Sequence, residues 1–192
     1  MANVTSCGNN TSPESWVLSP EWSGCDTIGR MSVTRKVTVE RNRLRFAAAH
    51  MATFRDECEP LHGHNYDIII ELEGELSDDG WVWDFGELKR ETKAIADELD
   101  HKFLLQRNSR ILEIEERPTN WAVRFGERGF VFPKSDVIAL PIDNTTSERI
   151  AEWIAGRLQA VLAPLDTGAA LRRLTVGVEE MPGQCGWYTV DL

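Results

Sequence analysis

A chain of 192 residues with 42% hydrophobic and 27% charged side chains can bury one substantial core and has the composition of a globular protein, not of a fibrous one. Its formal net charge of -10 argues against nucleic acid or an anionic membrane as the main partner, and leaves a small anionic substrate open through a local basic patch. No apolar run reaches membrane-spanning length, the start lacks a basic segment leading into an apolar one, and Cys7, Cys25, Cys58 and Cys185 show no CxxC spacing, so a cytoplasmic protein with reduced thiols is expected.

Residues 1–30 are rich in Ser, Asn, Thr, Gly and Pro without sustained periodicity and are expected to form a disordered tail ahead of a domain over 31–192. From Val33 to His50 apolar residues alternate, first at Val37 and Val39, then at Leu44, Phe46 and Ala48. That pattern predicts a strand with a turn or bulge at Glu40-Arg41-Asn42. Tyr66 to Leu76 predicts a second strand, with Ile68, Ile70 and Leu72 on one face, and Asp78-Asp79-Gly80 turns out of it. Asp84 followed by Glu87 is a capping-box pattern for a helix from about Gly86 to Leu99. Thr145 with Glu148 repeats the signature for a helix from Arg149 to Val161, ended by Pro164, and Leu171–Val178 and Trp187–Val190 predict closing strands. The expected fold is α+β, an antiparallel four-stranded sheet with two helices in ββααββ order. Between the helices, about Gln106 to Asp143, lies a segment too long for a simple connection. It reads as an insertion with a hairpin, Trp121–Phe125 and Phe130–Phe132 about Gly126–Gly129, followed by an extended piece at Val137–Ile142.

All four histidines fall between positions 50 and 101. In His62-Gly63-His64 an extended backbone points both imidazoles to one face, and antiparallel pairing can bring His50, at the end of the preceding strand, beside them. Three neutral imidazoles with an open fourth position suit a catalytic zinc ion (Zn2+), although such a set also suits other metals. Cys58, four residues before His62, would have its thiolate favoured by a nearby dication. Asp100-His101 has the makings of a proton-transfer pair, the carboxylate orienting the imidazole; alone it reads equally as a helix-end histidine.

The ordered set Phe46-Ala-Ala-Ala-His50, Cys58-x-x-x-His62-Gly-His64-Asn-Tyr, Trp83-Asp-Phe, Leu99-Asp100-His101, Thr146-Ser-Glu148 and Val178-Glu-Glu180 resembles the 6-pyruvoyltetrahydropterin synthase / 6-carboxytetrahydropterin synthase family. The resemblance runs from about Val33 to the C-terminus, apart from the insertion. It implies a tunnelling fold (T-fold), in which three subunits pair sheets into a barrel, two trimers stack into a homohexamer, and active sites lie between subunits. It implies zinc on His50, His62 and His64, and proton transfer by Cys58, Asp100 and His101. It also places a pterin ring at Glu180 with Thr146, Ser147 and Glu148, in keeping with the two parallel N–H groups that a carboxylate can accept.

The implied substrate is 7,8-dihydroneopterin triphosphate, and two chemistries follow. One eliminates triphosphate to give 6-pyruvoyltetrahydropterin. The other also releases acetaldehyde and leaves 6-carboxytetrahydropterin, on the route to queuosine-type deazapurines. The three-residue gap between Cys58 and His62 resembles the second group. Glu59-x-x-His62 resembles a subgroup in which a glutamate is the base and dihydroneopterin is cleaved to 6-hydroxymethyldihydropterin for folate. Both signatures overlap here, which makes a dual-function enzyme a further reading; Glu59 reads equally as a solvated loop carboxylate. Readings from other classes are a zinc hydrolase or metal-dependent oxygenase on the same three histidines, and a non-enzymatic pterin- or metal-binding module. The joint presence of Cys58, Asp100 and His101 argues against the module.

Overall fold

A computed structural model describes residues 33–163 and 170–192; the expected N-terminal tail, Cys7, Cys25 and Pro164 lie outside the described residues. The long strand β1 (Arg35–His50) leads through a small hairpin, β2 (Thr53–Phe54) and β3 (Glu57–Cys58), into β4 (His62–Gly74). Helix α1 (Phe85–Leu99) follows, then β5 (Lys102–Gln106), β6 (Glu113–Glu116), β7 (Asn120–Phe125), β8 (Arg128–Pro133) and β9 (Val137–Leu140). Helix α2 (Ser147–Leu162) and the pair β10 (Leu171–Met181) and β11 (Gln184–Asp191) complete the chain.

The main sheet has the order β11-β10-β4-β1-β5-β9. The first four strands pair antiparallel, whereas β5 runs parallel to β1 and β9 parallel to β5. The sheet is therefore mixed and six-stranded, not the four-stranded antiparallel sheet expected. The two added strands are short and their burial does not alternate, with Phe103, Leu104, Leu105 and Gln106 all buried in succession. A strand covered on both faces lacks the period of two by which a half-buried strand is recognised.

Side chains of β4 alternate cleanly, with Tyr66, Ile68, Ile70 and Leu72 fully buried. In β1 the buried set changes parity, from Val39 to Leu44, Phe46, Ala48 and His50. The register accounts for it: Glu40 pairs with Ile69 and Arg45 with Asp67, so five steps along β1 oppose two along β4. An odd excess of residues in one strand turns every later side chain to the other face. The bulge, with Arg43 at φ +84, is thus the feature that turns His50 toward the core face.

Both helices pack on that face. Asp84 caps α1, its carboxylate accepting from the Glu87 N–H at 2.7 Å, and the helix buries Leu88, Ile95, Ala96 and Leu99. Helix α2 buries Ile150, Ala151, Ile154, Ala155, Leu158 and Leu162 in the same core. Its N-cap is Thr146, without a side-chain cap bond, in place of the Thr145 cap expected. Thr145 is fully buried and its hydroxyl donates instead to Gln106 Oε1 at 2.7 Å, a tertiary partner that outcompetes the local capping bond.

The segment between the helices forms a separate three-stranded antiparallel sheet, β6-β7-β8, where a two-stranded hairpin was expected. Its apolar face, with Trp121, Val123, Phe130 and Phe132, closes a second cluster around Met51, Cys58, Phe103 and Leu105. The additional strand, β6, is a largely exposed edge carrying three glutamates, paired to Arg124, Arg117 and Lys134. Charge of this kind keeps an edge soluble and hides it from a reading based on apolar alternation. Among the described residues no helix is long and apolar enough to cross a membrane.

Candidate metal centre and substrate cavity

The register of β1 against β4 sets His50 opposite His62 and Ala48 opposite His64. All three imidazoles lie on the core face, and their ring centroids are 4.5 Å (His50–His62), 5.2 Å (His50–His64) and 4.9 Å (His62–His64) apart. Gly63 faces the other way, where a Cβ would stand 2.9 Å from the Ala48 carbonyl oxygen; only glycine lets the strands close at this point.

The second ring nitrogens fix the tautomers. His50 Nδ1 lies 2.9 Å from the Thr145 carbonyl and His62 Nδ1 lies 2.8 Å from the Pro60 carbonyl. A carbonyl only accepts, so both Nδ1 atoms carry the proton and both Nε2 atoms present lone pairs. Those two Nε2 atoms are 3.1 Å apart, and His64 Nε2 is buried without a hydrogen-bond partner. One ligand atom from each histidine lies within 4.8 Å of the others. Converging lone pairs repel unless a cation sits among them, so the residues fit a divalent metal held by three neutral imidazoles. Burial lowers the His50 pKa, which favours the neutral ligand form; the Thr145 carbonyl opposes this and His62 reinforces it.

The histidines open into a cavity of about 430 Å³. Glu180 enters it from the end of β10, and Thr146, Ser147 and Glu148 from the first turn of α2. That turn meets β11 at Gly186, where a Cβ would come within 2.6 Å of the Glu148 backbone nitrogen. Glu59 lines the same cavity, its Oε2 3.8 Å from His62 Nε2. Gln184 and Cys185 complete one wall. Neither stood out in the sequence as a site residue; the signal that points to their hairpin is Pro182-Gly183, with Gly183 at φ +84 in the turn.

The expected proton carriers are distributed differently. Cys58 does not line the histidine cavity. Its side chain is buried in the second apolar cluster with Met51, Phe103 and Trp121, and burial raises the thiol pKa while the Arg128 guanidinium opposes the rise. In an extended hairpin successive side chains alternate, so with Cys58 turned inward to that cluster Glu59 is the one that faces the histidines. Asp100 caps the end of α1: one carboxylate oxygen accepts from the Ala47 N–H at 2.7 Å and the other lies 2.8 Å from His101 Nδ1. The Ala47 N–H, followed by His101, holds the Asp100 carboxyl below its ordinary range. His101 is exposed with φ +57 and borders another cavity, of about 540 Å³, lined by Ala47, Ala49 and Gly63 on the opposite face of the sheet. Within one chain, therefore, His50, His62, His64, Glu59, Thr146, Ser147, Glu148 and Glu180 come together, and Cys58 and the Asp100–His101 pair do not join them. His64 borders both cavities.

The model of the 6-pyruvoyl tetrahydropterin synthase family matches residues 38–191. A protein of Methanocaldococcus jannaschii, provisionally named a 6-carboxy-5,6,7,8-tetrahydropterin synthase, is 34% identical over 146 residues, covering 76% of this chain and 89% of its own. The dihydroneopterin monophosphate aldolase of Pyrococcus furiosus is 30% identical over 117 residues, covering 61% of this chain and 71% of its own. Among solved structures, the 6-pyruvoyl tetrahydropterin synthase of Plasmodium vivax superposes with a TM-score of 0.78 at 30% identity, over 84% of this chain and 100% of that one. A variant of that enzyme with a catalytic glutamate replaced by alanine superposes equally well, with a TM-score of 0.78. The chain belongs to the 6-pyruvoyl tetrahydropterin synthase family, a family of lyase-type enzymes that process pterins.

Proposed function

We propose that the protein is a zinc-dependent lyase that converts 7,8-dihydroneopterin triphosphate and one water to 6-carboxy-5,6,7,8-tetrahydropterin, releasing acetaldehyde and triphosphate, on the route to queuosine-type deazapurines. The observation that carries this reading is the opening of three convergent imidazoles into the cavity that also holds Glu180 and the first turn of α2. His50, His62 and His64 would hold the zinc ion, which when bound polarises the hydroxyls of the substrate side chain. Glu180 accepts a pair of parallel N–H bonds from the pterin edge, and Thr146, Ser147 and Glu148 bound the ring from the helix side. That anchorage directs the pterin side chain to the histidine end of the cavity. Cys58 and the Asp100–His101 pair are the proton carriers in this reading. Because the pair opens on the far side of the sheet, it serves the cavity of a neighbouring subunit in a homohexamer built as a dimer of trimers.

A second activity has its own support. Glu59, not Cys58, faces the histidines, the P. furiosus relative is named an aldolase, and the P. vivax enzyme has a catalytic glutamate. Glu59 as base would cleave dihydroneopterin by a retro-aldol step to 6-hydroxymethyldihydropterin and glycolaldehyde, making the enzyme bifunctional; elimination of triphosphate alone would give 6-pyruvoyltetrahydropterin. Mass spectrometry of the products from 7,8-dihydroneopterin triphosphate and from dihydroneopterin separates these outcomes. Cys58→Ala is expected to abolish the carboxylated product and spare the hydroxymethyl one, and Glu59→Gln to do the reverse. Failure of the zinc-loaded protein to turn over any dihydropterin contradicts both readings.

A further inference from the structure

The segment between the helices reaches the loop that carries the two proposed bases. Arg128, the first residue of β8, extends its guanidinium across to the end of β3 and donates one N–H to the Cys58 carbonyl and another, at 3.1 Å, to the Glu59 carbonyl. On the other side of the same residue, the Glu59 N–H donates to the Ala52 carbonyl at 3.0 Å. One residue on, the Pro60 carbonyl accepts from His62 Nδ1 at 2.8 Å. The backbone of residues 58–60 is thus held at successive peptide groups, by Arg128 from the added sheet and by His62 from the metal centre.

The support for Arg128 is rigid. Phe125 pairs with Arg128 across a two-residue turn whose first position, Gly126, has φ +56, as a tight hairpin of this type demands. The guanidinium carbon lies 5.2 Å from the centre of the Phe125 ring, and the arginine is half-buried. Trp121, Val123, Phe130 and Phe132 pack the sheet into one apolar cluster with Met51, Cys58 and Phe103. A planar guanidinium with several donors can fix two adjacent carbonyls at once, which the point charge of a lysine does less well.

We propose that Arg128 is a positioning residue: it clamps the Cys58–Glu59 backbone so that the Glu59 carboxylate is presented to the histidine cavity, and the β6–β8 sheet is the platform for that clamp. The inference rests on the reading of Cys58 and Glu59 as the bases of a pterin lyase. Loss of the clamp frees both carbonyls without touching metal or pterin, so it acts on the chemical step and not on substrate binding. The variants Arg128→Met and Arg128→Lys are compared with Arg124→Met, which removes an exposed arginine of the same sheet. In the full-length, zinc-loaded protein, Arg128→Met is expected to speed amide hydrogen exchange in residues 52–60. It should lower kcat by roughly tenfold or more, as a misplaced catalytic group does. KM and zinc content are expected to stay within about twofold of the parent, the signature of an interaction felt in the transition state alone. Arg128→Lys should fall between, and Arg124→Met should match the parent; if Arg128→Met proves unstable, Arg128→Lys carries the comparison. Unchanged exchange over residues 52–60 overturns the proposal, as does unchanged kcat or a parallel loss of kcat, KM and zinc. If the parent turns over no dihydropterin, the lyase reading fails by itself, and hydrogen exchange still decides whether the clamp exists.

Discussion

Two of the three imidazoles, His50 and His62, are held by a backbone carbonyl on the far side of the ring, and the His50 support runs deepest. The Thr145 carbonyl fixes its Nδ1 proton, and the Thr145 hydroxyl is in turn held by Gln106, itself buried in β5. Outer partners of this kind typically contribute tenfold or more to metal affinity, so Gln106→Leu is expected to weaken zinc binding by about tenfold while leaving the fold intact. Competition with a chelator measures it; unchanged affinity would show that Thr145 needs no support. Asp100 offers a test by pH. Its pKa is depressed in the folded state, chiefly by the Ala47 N–H, so it stabilises the fold above its unfolded value and loses that contribution as pH falls through the folded one. Thermal midpoints of the parent and of Asp100→Asn should therefore converge below about pH 4, the ordinary carboxylate range, and separate above it. A constant difference across that window would exclude the carboxylate as the cause.

At the scale of elements the bulge in β1 matters most, because three extra residues against β4 convert an outward position into an inward one just where His50 is needed. Parity makes a sharp prediction. Deleting residues 41–42 leaves an odd excess and is expected to retain zinc, whereas deleting residue 42 alone leaves an even excess, turns one half of β1 over and loses the metal. Equal zinc content in the two deletions would contradict it. Much of this was legible from residues alone: the change from Val37 and Val39 to Leu44, Phe46 and Ala48 announced the bulge, and the spacing of His62 and His64 announced a shared face. The capping box at Asp84 likewise marked the start of α1. What was hidden depends on partners distant in sequence. β5 and β9 are short strands without alternation, β6 is a charged edge, and Thr145 reads as a cap until Gln106 is known to lie beside it. That Glu59 and not Cys58 faces the histidines was equally hidden, since Cys58 is buried in an apolar cluster contributed by Trp121 and its neighbours.

At the scale of the molecule the sheet separates two cavities, one with the histidines and Glu180, the other with His101, and His64 borders both. If subunits meet so that one copy's Asp100–His101 pair serves the next copy's metal centre, variants in the two groups should complement each other. Subunits carrying His101→Ala mixed with subunits carrying Glu180→Gln are expected to recover part of the activity that each lacks alone, in proportion to the hybrid interfaces formed. Mixtures as inactive as their parents would confine each active site to one chain. The net charge of -10 gives the proposed triphosphate-bearing substrate no general attraction, so its capture would depend on local groups. The most direct test of the account is turnover of 7,8-dihydroneopterin triphosphate by protein stripped of metal and then titrated with zinc. The account predicts no product from the stripped protein, and acetaldehyde with 6-carboxytetrahydropterin appearing in proportion to zinc until each chain holds one ion. Full turnover without metal, or zinc-loaded protein that leaves the substrate unchanged, would contradict it.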